Sequence, residues 1–90
     1  MRVIYKYPLM LGQTCIVLPP DSQILSFQAQ AGMPVMWAMI PLGPAPTVRK
    51  NFFLAATGQP FLRKAWDQYR ATIQLAEGRV VHVFEEGAEV

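Results

Sequence analysis

The chain has 90 residues, eight basic and six acidic side chains, and a formal net charge of +2. Charged residues make up 16% and apolar residues 52%, with a mean hydropathy of +0.21. The basic side chains gather only as the pairs Arg49–Lys50 and Arg63–Lys64, which argues against nucleic acid as a partner, because sequence-independent binding neutralises several phosphates.

Length and composition narrow the field further. One domain over residues 1–90 is expected. A core this small cannot bury so much apolar surface, so a homo-oligomer is expected, most simply a dimer. Cys15 is the single cysteine, so no intrachain disulfide forms, and with one histidine no zinc cluster is supported. No run of about 18 apolar residues offers a transmembrane helix, and no membrane partner is expected. The N-terminal residues 1–7 lack a signal-peptide core, and a reducing compartment fits the cysteine usage.

Strand patterns dominate in chain order. Val3, Tyr5 and Tyr7 alternate with Arg2 and Lys6 as far as Pro8. Residues 14–18 predict a second strand with Cys15 as a buried small hydrophobe, stopped by Pro19 and Pro20. Residues 24–31 predict a third, with Leu25, Phe27 and Ala29 on one face and Ser26, Gln28 and Gln30 on the other. Gly32, Met33 and Pro34 break that run. Residues 35–40 then predict a buried, central strand that pairs with the third as a hairpin. Met33, Met36 and Met39 read as core or interface filling.

Three prolines make residues 41–46 a loop. Residues 47–56 predict a fifth strand and residues 57–60 a turn. Beyond it, Leu62, Trp66, Tyr69 and Ile73 recur at helical spacing, while residues 69–75 also alternate. The pattern predicts a helical turn near residues 61–67, then a terminal hairpin through Ala76, Glu77 and Gly78 into residues 79–85. Residues 86–90 are expected to fray. The fold class expected is mainly β: a small twisted antiparallel sheet folded as a sandwich or half-open barrel, with at most one short helix near residues 61–67.

Several short motifs resemble a family of small, uncharacterised proteins encoded by bacteriophages and prophages. They are Ile4-Tyr5-Lys6-Tyr7-Pro8-Leu9, Ile24-Leu25-Ser26-Phe27-Gln28, Gly32-Met33-Pro34 with Trp37-Ala38, Thr57-Gly58-Gln59-Pro60, and His82-Val83-Phe84-Glu85. The proline-rich loop 41–46 and the basic aromatic stretch 61–66 depart from that pattern. The resemblance implies an accessory protein in the host cell cytoplasm. It further implies a counter-defence role, either sequestering a small nucleotide-derived immune signal or occluding a host defence protein through an apolar surface. A minor virion or assembly component is a third role of this setting.

No paired carboxylates, phosphate-binding glycine loop or nucleophile elbow is present, so neither an enzyme nor a cofactor is expected. His82 alone cannot form a histidine metal site and reads as a structural or edge residue. The candidate ligand-binding residues are Trp37, Arg49, Thr57, Gln59, Arg63 and Trp66. Trp37 reads as core packing or as an aromatic floor for a ring-bearing ligand, and Trp66, beside Arg63 and Lys64, as a partner anchor or as packing under the sheet. The glycine turn with Thr57 and Gln59 could bring backbone N–H groups to an anion. Arg49 and Arg63 flank that turn in sequence and could converge there to supply charge.

Overall fold

A computed structural model of the protein describes residues 1–87. The alternating segments form seven strands among these residues: β1 (Arg2–Pro8), β2 (Gly12–Leu18), β3 (Gln23–Gln30), β4 (Met33–Pro41), β5 (Val48–Ala56), β6 (Gln68–Gln74) and β7 (Val80–Glu85). They build two antiparallel sheets, one in the order β1-β4-β3 and one in the order β2-β5-β7-β6. The mainly β fold expected from the sequence is therefore present, as two separate sheets. β4 is central in its sheet and pairs with β3 as a hairpin. Among the described residues no helix is long and apolar enough to cross a membrane.

Period-two alternation decides which side chains make the core. β2 turns Ile16 and Leu18 inward, β4 turns Met36 and Ala38, β5 turns Phe52 and Leu54, β6 turns Ile73, and β7 turns Val81 and Val83. These join Leu9 in one buried cluster between the sheets. A sheet with one apolar face must cover it, and here each sheet covers the other. Full burial of each large apolar side chain contributes about 1.5–3 kcal/mol. Tyr7 lies opposite Met36 and packs against this cluster. Burial, and after it the neighbouring Tyr5 phenol, pushes the Tyr7 hydroxyl above its ordinary pKa.

The same alternation corrects the reading of Cys15. With Ile16 and Leu18 inward, Cys15 must point out, and it is exposed, opposite Asn51. β3 departs from simple alternation because its register slips between Ile24 and Ser26. The extra residue, Leu25, is pushed out and exposed, and Ile24 joins Phe27 against the core instead. The turn between β3 and β4 is Ala31–Gly32, both at positive φ (52° and 78°), as a two-residue hairpin requires. Pro34 lies within β4 opposite Ala29, so it does not break the run.

No helix forms over residues 61–67. The segment is a loop closed by a turn in which Asp67 N–H donates to the Lys64 carbonyl at 3.1 Å. Phe61 is drawn onto the outer face of the four-stranded sheet, where its ring lies 5.7 Å from Phe53 and 5.3 Å from Phe84. Tyr69 and Ile73, half of the helical spacing, belong to β6. The single short helical element among the described residues is a 3-10 turn at Ala76–Gly78, inside the expected β6–β7 hairpin. Residues 86 and 87 are held in place. Glu86 N–H donates to the Asn51 carbonyl at 2.8 Å, and the Glu86 carboxylate accepts from Gln13 Nε2 at 2.7 Å. A Cβ on Gly87 would stand 2.2 Å from the Trp66 carbonyl oxygen, so the chain passes there only as glycine. Residues 88–90 of the expected frayed tail lie outside the described residues.

Candidate binding site

At one end of the sandwich, the β1–β2 connection, the β3–β4 hairpin, the end of β5 and the β6–β7 hairpin meet around a cavity of about 540 Å³. Leu9, Leu54 and Val81 form its buried floor, with Leu75 on its wall. Met10, Leu11 and Met33 stand at the rim, 65%, 66% and 59% exposed. Apolar side chains gathered around a concavity mark a ligand or partner site. Two polar side chains complete the lining, Thr57 and Arg79. Arg79 is exposed and forms no ion pair among the described residues.

Thr57 is held by a hydrogen-bond chain across the outer face of the four-stranded sheet. Tyr69 OH lies 2.7 Å from Thr72 Oγ1, which lies 3.0 Å from His82 Nδ1, and His82 Nε2 lies 2.7 Å from Thr57 Oγ1. Thr57 in turn donates to the Val80 carbonyl at 3.3 Å. That last bond makes Thr57 the acceptor from His82 Nε2–H, and leaves Nδ1 to accept from Thr72. One neutral tautomer satisfies every group. His82, on the internal strand β7, thus bridges Thr57 and Thr72.

The six candidate residues do not share one pocket. Thr57 lines the cavity. Gln59 is exposed in the adjoining turn, its N–H donating to the Ala56 carbonyl at 3.1 Å. Arg63 and Trp66 lie in the loop over the outer face of the four-stranded sheet. The Arg63 guanidinium sits 5.8 Å from the Phe84 ring centroid and donates to the Asp67 carbonyl at 3.2 Å. Trp66 is 37% exposed. Arg49 is exposed opposite Val17 at the start of β5, about 25 Å along the strand from Thr57. The convergence of Arg49 and Arg63 at the turn 57–60 is therefore not formed: Arg49 lies at the far end of β5 from the turn, and Arg63 is folded back over Phe84, which pairs with Phe53 in the middle of β5. Trp37 faces away from the core on the three-stranded sheet, between Lys6 and Ser26, and is half-buried.

These positions set an expected order of stability effects. Trp37→Ala loses part of its burial and should destabilise by about 1–2 kcal/mol. Arg49→Ala should stay within about 0.5 kcal/mol of the parent. Thermal melts of both variants check this, and a larger loss in Arg49→Ala than in Trp37→Ala contradicts it.

Most of the cavity was not signalled. Leu9, Met10 and Leu11 come from the β1–β2 connection, Met33 from the start of β4, and Leu75 and Arg79 from the β6–β7 connection. The one readable sign was the apolar run Leu9-Met10-Leu11 placed between two strands, where a connection is ordinarily polar. Among the described residues no group of three His, Cys, Asp or Glu could hold a metal ion.

Fold and site together define a small two-sheet antiparallel β domain with an apolar cavity open at one end. The chain belongs to the family described as Domain of unknown function (DUF7352), whose model matches residues 1–90. No curated protein and no solved structure matches the chain.

Proposed function

We propose that this protein is a non-enzymatic binding module that holds a small amphipathic anion in the cavity at the Leu9–Met33–Leu75 end. The observation that carries this reading is an apolar cavity of about 540 Å³ with a single cation, Arg79, on its lining. The volume lies within the range of small-molecule sites. Apolar walls favour a ring or chain, and a guanidinium at the rim favours a carboxylate, sulfonate or phosphate group. In the bacteriophage setting of the resemblance, the module sequesters a small signal of host defence in the host cytoplasm, and a nucleotide-derived signal sets its base on the apolar walls and its phosphate beside Arg79. A second reading, occlusion of a host protein, is favoured by the exposure of Met10, Leu11 and Met33. Self-association is part of the proposal, and light scattering across a dilution series tests it.

The probe for the first reading is 8-anilinonaphthalene-1-sulfonate, which joins apolar rings to one anionic group. Fluorescence titration of the folded chain should give saturable micromolar binding. Arg79→Ala should weaken it about three- to tenfold, as for a charge-assisted contact at an exposed rim. Met33→Glu, at an exposed position the fold tolerates, should weaken it as well. Absence of saturable binding, or affinity unchanged in both variants, rejects the proposal.

A further inference from the structure

The opposite end of the sandwich carries different chemistry. Alternation along β5 puts Lys50 on the inner side, opposite Ile16, and β7 ends there with Glu85. In β6 the register slips between Tyr69 and Ala71, leaving Arg70 as the extra residue. Such a bulge re-aims a side chain, and here it brings the Arg70 guanidinium to 6.0 Å from the centroid of Phe27 on the other sheet. Lys50 Nζ donates to Glu85 Oε2 at 3.1 Å, and Arg70 Nε lies 3.6 Å from Glu85 Oε1.

Two cations therefore share one carboxylate, with side chains only 30%, 29% and 20% exposed for Lys50, Arg70 and Glu85. They line a cleft of about 440 Å³ together with the neutral hydrogen-bonding residues Ser22, Gln23 and Gln68. Glu85 engages the Nε edge of Arg70, and the two terminal nitrogens make no hydrogen bond among the described residues. The cluster carries one unbalanced positive charge in a part-buried setting, which an anion would complement. A second hollow of about 240 Å³ shares Ile24 and Arg70 with this cleft and runs between Phe27 and Tyr69 along the seam where β3 meets β6.

We propose that this cleft binds a phosphate monoester, with the phosphate between Lys50 Nζ and the terminal nitrogens of Arg70 and the organic body in the hollow between Phe27 and Tyr69. Arginine presents a planar fork that matches phosphate oxygens, and Lys50 adds a point charge. Gln23 and Gln68 supply neutral amide donors around the anion, while the Ser22 hydroxyl already donates to the Pro19 carbonyl at 2.6 Å. The site lies at the far end of the sandwich from Arg79 and does not rest on the reading of the apolar cavity.

The test is calorimetric titration of the full chain with phenyl phosphate and, separately, with inorganic phosphate. Phenyl phosphate should bind at submillimolar concentration and more weakly as salt rises. Lys50→Gln and Arg70→Gln should each weaken it about tenfold or more, the loss of one charge-assisted contact. Glu85→Gln, which removes the competing carboxylate, should tighten it, and Arg79→Ala should leave it unchanged. Circular dichroism confirms that each variant is folded. If Arg70→Gln fails to fold, Arg70→Lys, which keeps the charge and loses the fork, should still weaken binding. No binding, or affinity indifferent to both Lys50→Gln and Arg70→Gln, overturns the proposal. Equal affinity for inorganic phosphate overturns the placement of the organic body.

Discussion

Phe52→Ala is expected to remove about 3–5 kcal/mol of stability, the range for deleting a buried aromatic ring. Phe52 is fully buried, on β5, an internal strand of the four-stranded sheet. Its ring meets Phe27 of the other sheet edge-on at 5.7 Å, so the pair ties the two layers together. Neighbours on both sheets are fixed by ladder hydrogen bonds and can collapse only partly into the space left. A domain of this size has roughly 5–13 kcal/mol in total, so one substitution consumes a large share of it. Urea unfolding at 25 °C measures the loss. A change below about 1.5 kcal/mol contradicts the placement of Phe52 at the centre of the inter-sheet core.

Leu9→Ala is expected to destabilise by about 2–5 kcal/mol. Leu9 lies in the connection between β1 and β2, where a surface residue is the ordinary expectation. It is nevertheless only 2% exposed and belongs to the core cluster. Its N–H donates to the Pro34 carbonyl at 3.0 Å, which fixes the chain as it crosses from one sheet to the other. Its neighbours provide the control: Met10→Ala and Leu11→Ala, at exposed rim positions, should each change stability by less than about 0.5 kcal/mol. Equal losses at all three positions in parallel urea titrations contradict the assignment of Leu9 to the cavity floor.

The strands were legible because side chains alternate between water and core with a period of two, and Val3 to Tyr7, Ile16 with Leu18, and Val81 with Val83 carry that signal plainly. The β3–β4 hairpin was legible because two strand-like runs flank a short segment with a glycine, although the turn is Ala31–Gly32 and not the break expected at residues 32–34. Partition into two sheets was not, since β1 finds β4 and β2 finds β5 across long stretches of chain that no local pattern records. Leu25 misled because a bulge inverts the faces on either side of it. Residues 61–67 misled because helical spacing there lost to the pairing of β6 with β7 and to the stack of Phe61 on Phe53 and Phe84.

The candidate site was less legible for a related reason. Thr57 was found because a glycine turn is a local signal. Leu9, Met33, Leu75 and Arg79 reach the same cavity from distant points of the chain, and no local pattern joins them. Arg49 and Arg63 were brought to the turn by their nearness to it in sequence, but the nine-residue strand β5 carries Arg49 away from the turn and the 61–67 loop folds Arg63 back over Phe84. The bulge at Arg70, which sets a cation between the sheets, is likewise visible only once β7 supplies the register against which β6 slips.

The central claim is that ligand seats in the apolar cavity at the Leu9–Met33–Leu75 end. Methyl-selective NMR of the chain titrated with 8-anilinonaphthalene-1-sulfonate tests it most directly. The largest shifts are expected at the methyls of Leu9, Leu11, Met33, Leu75 and Val81. Shifts centred instead on Ile4 and Met39, around the outward face of Trp37, would contradict it.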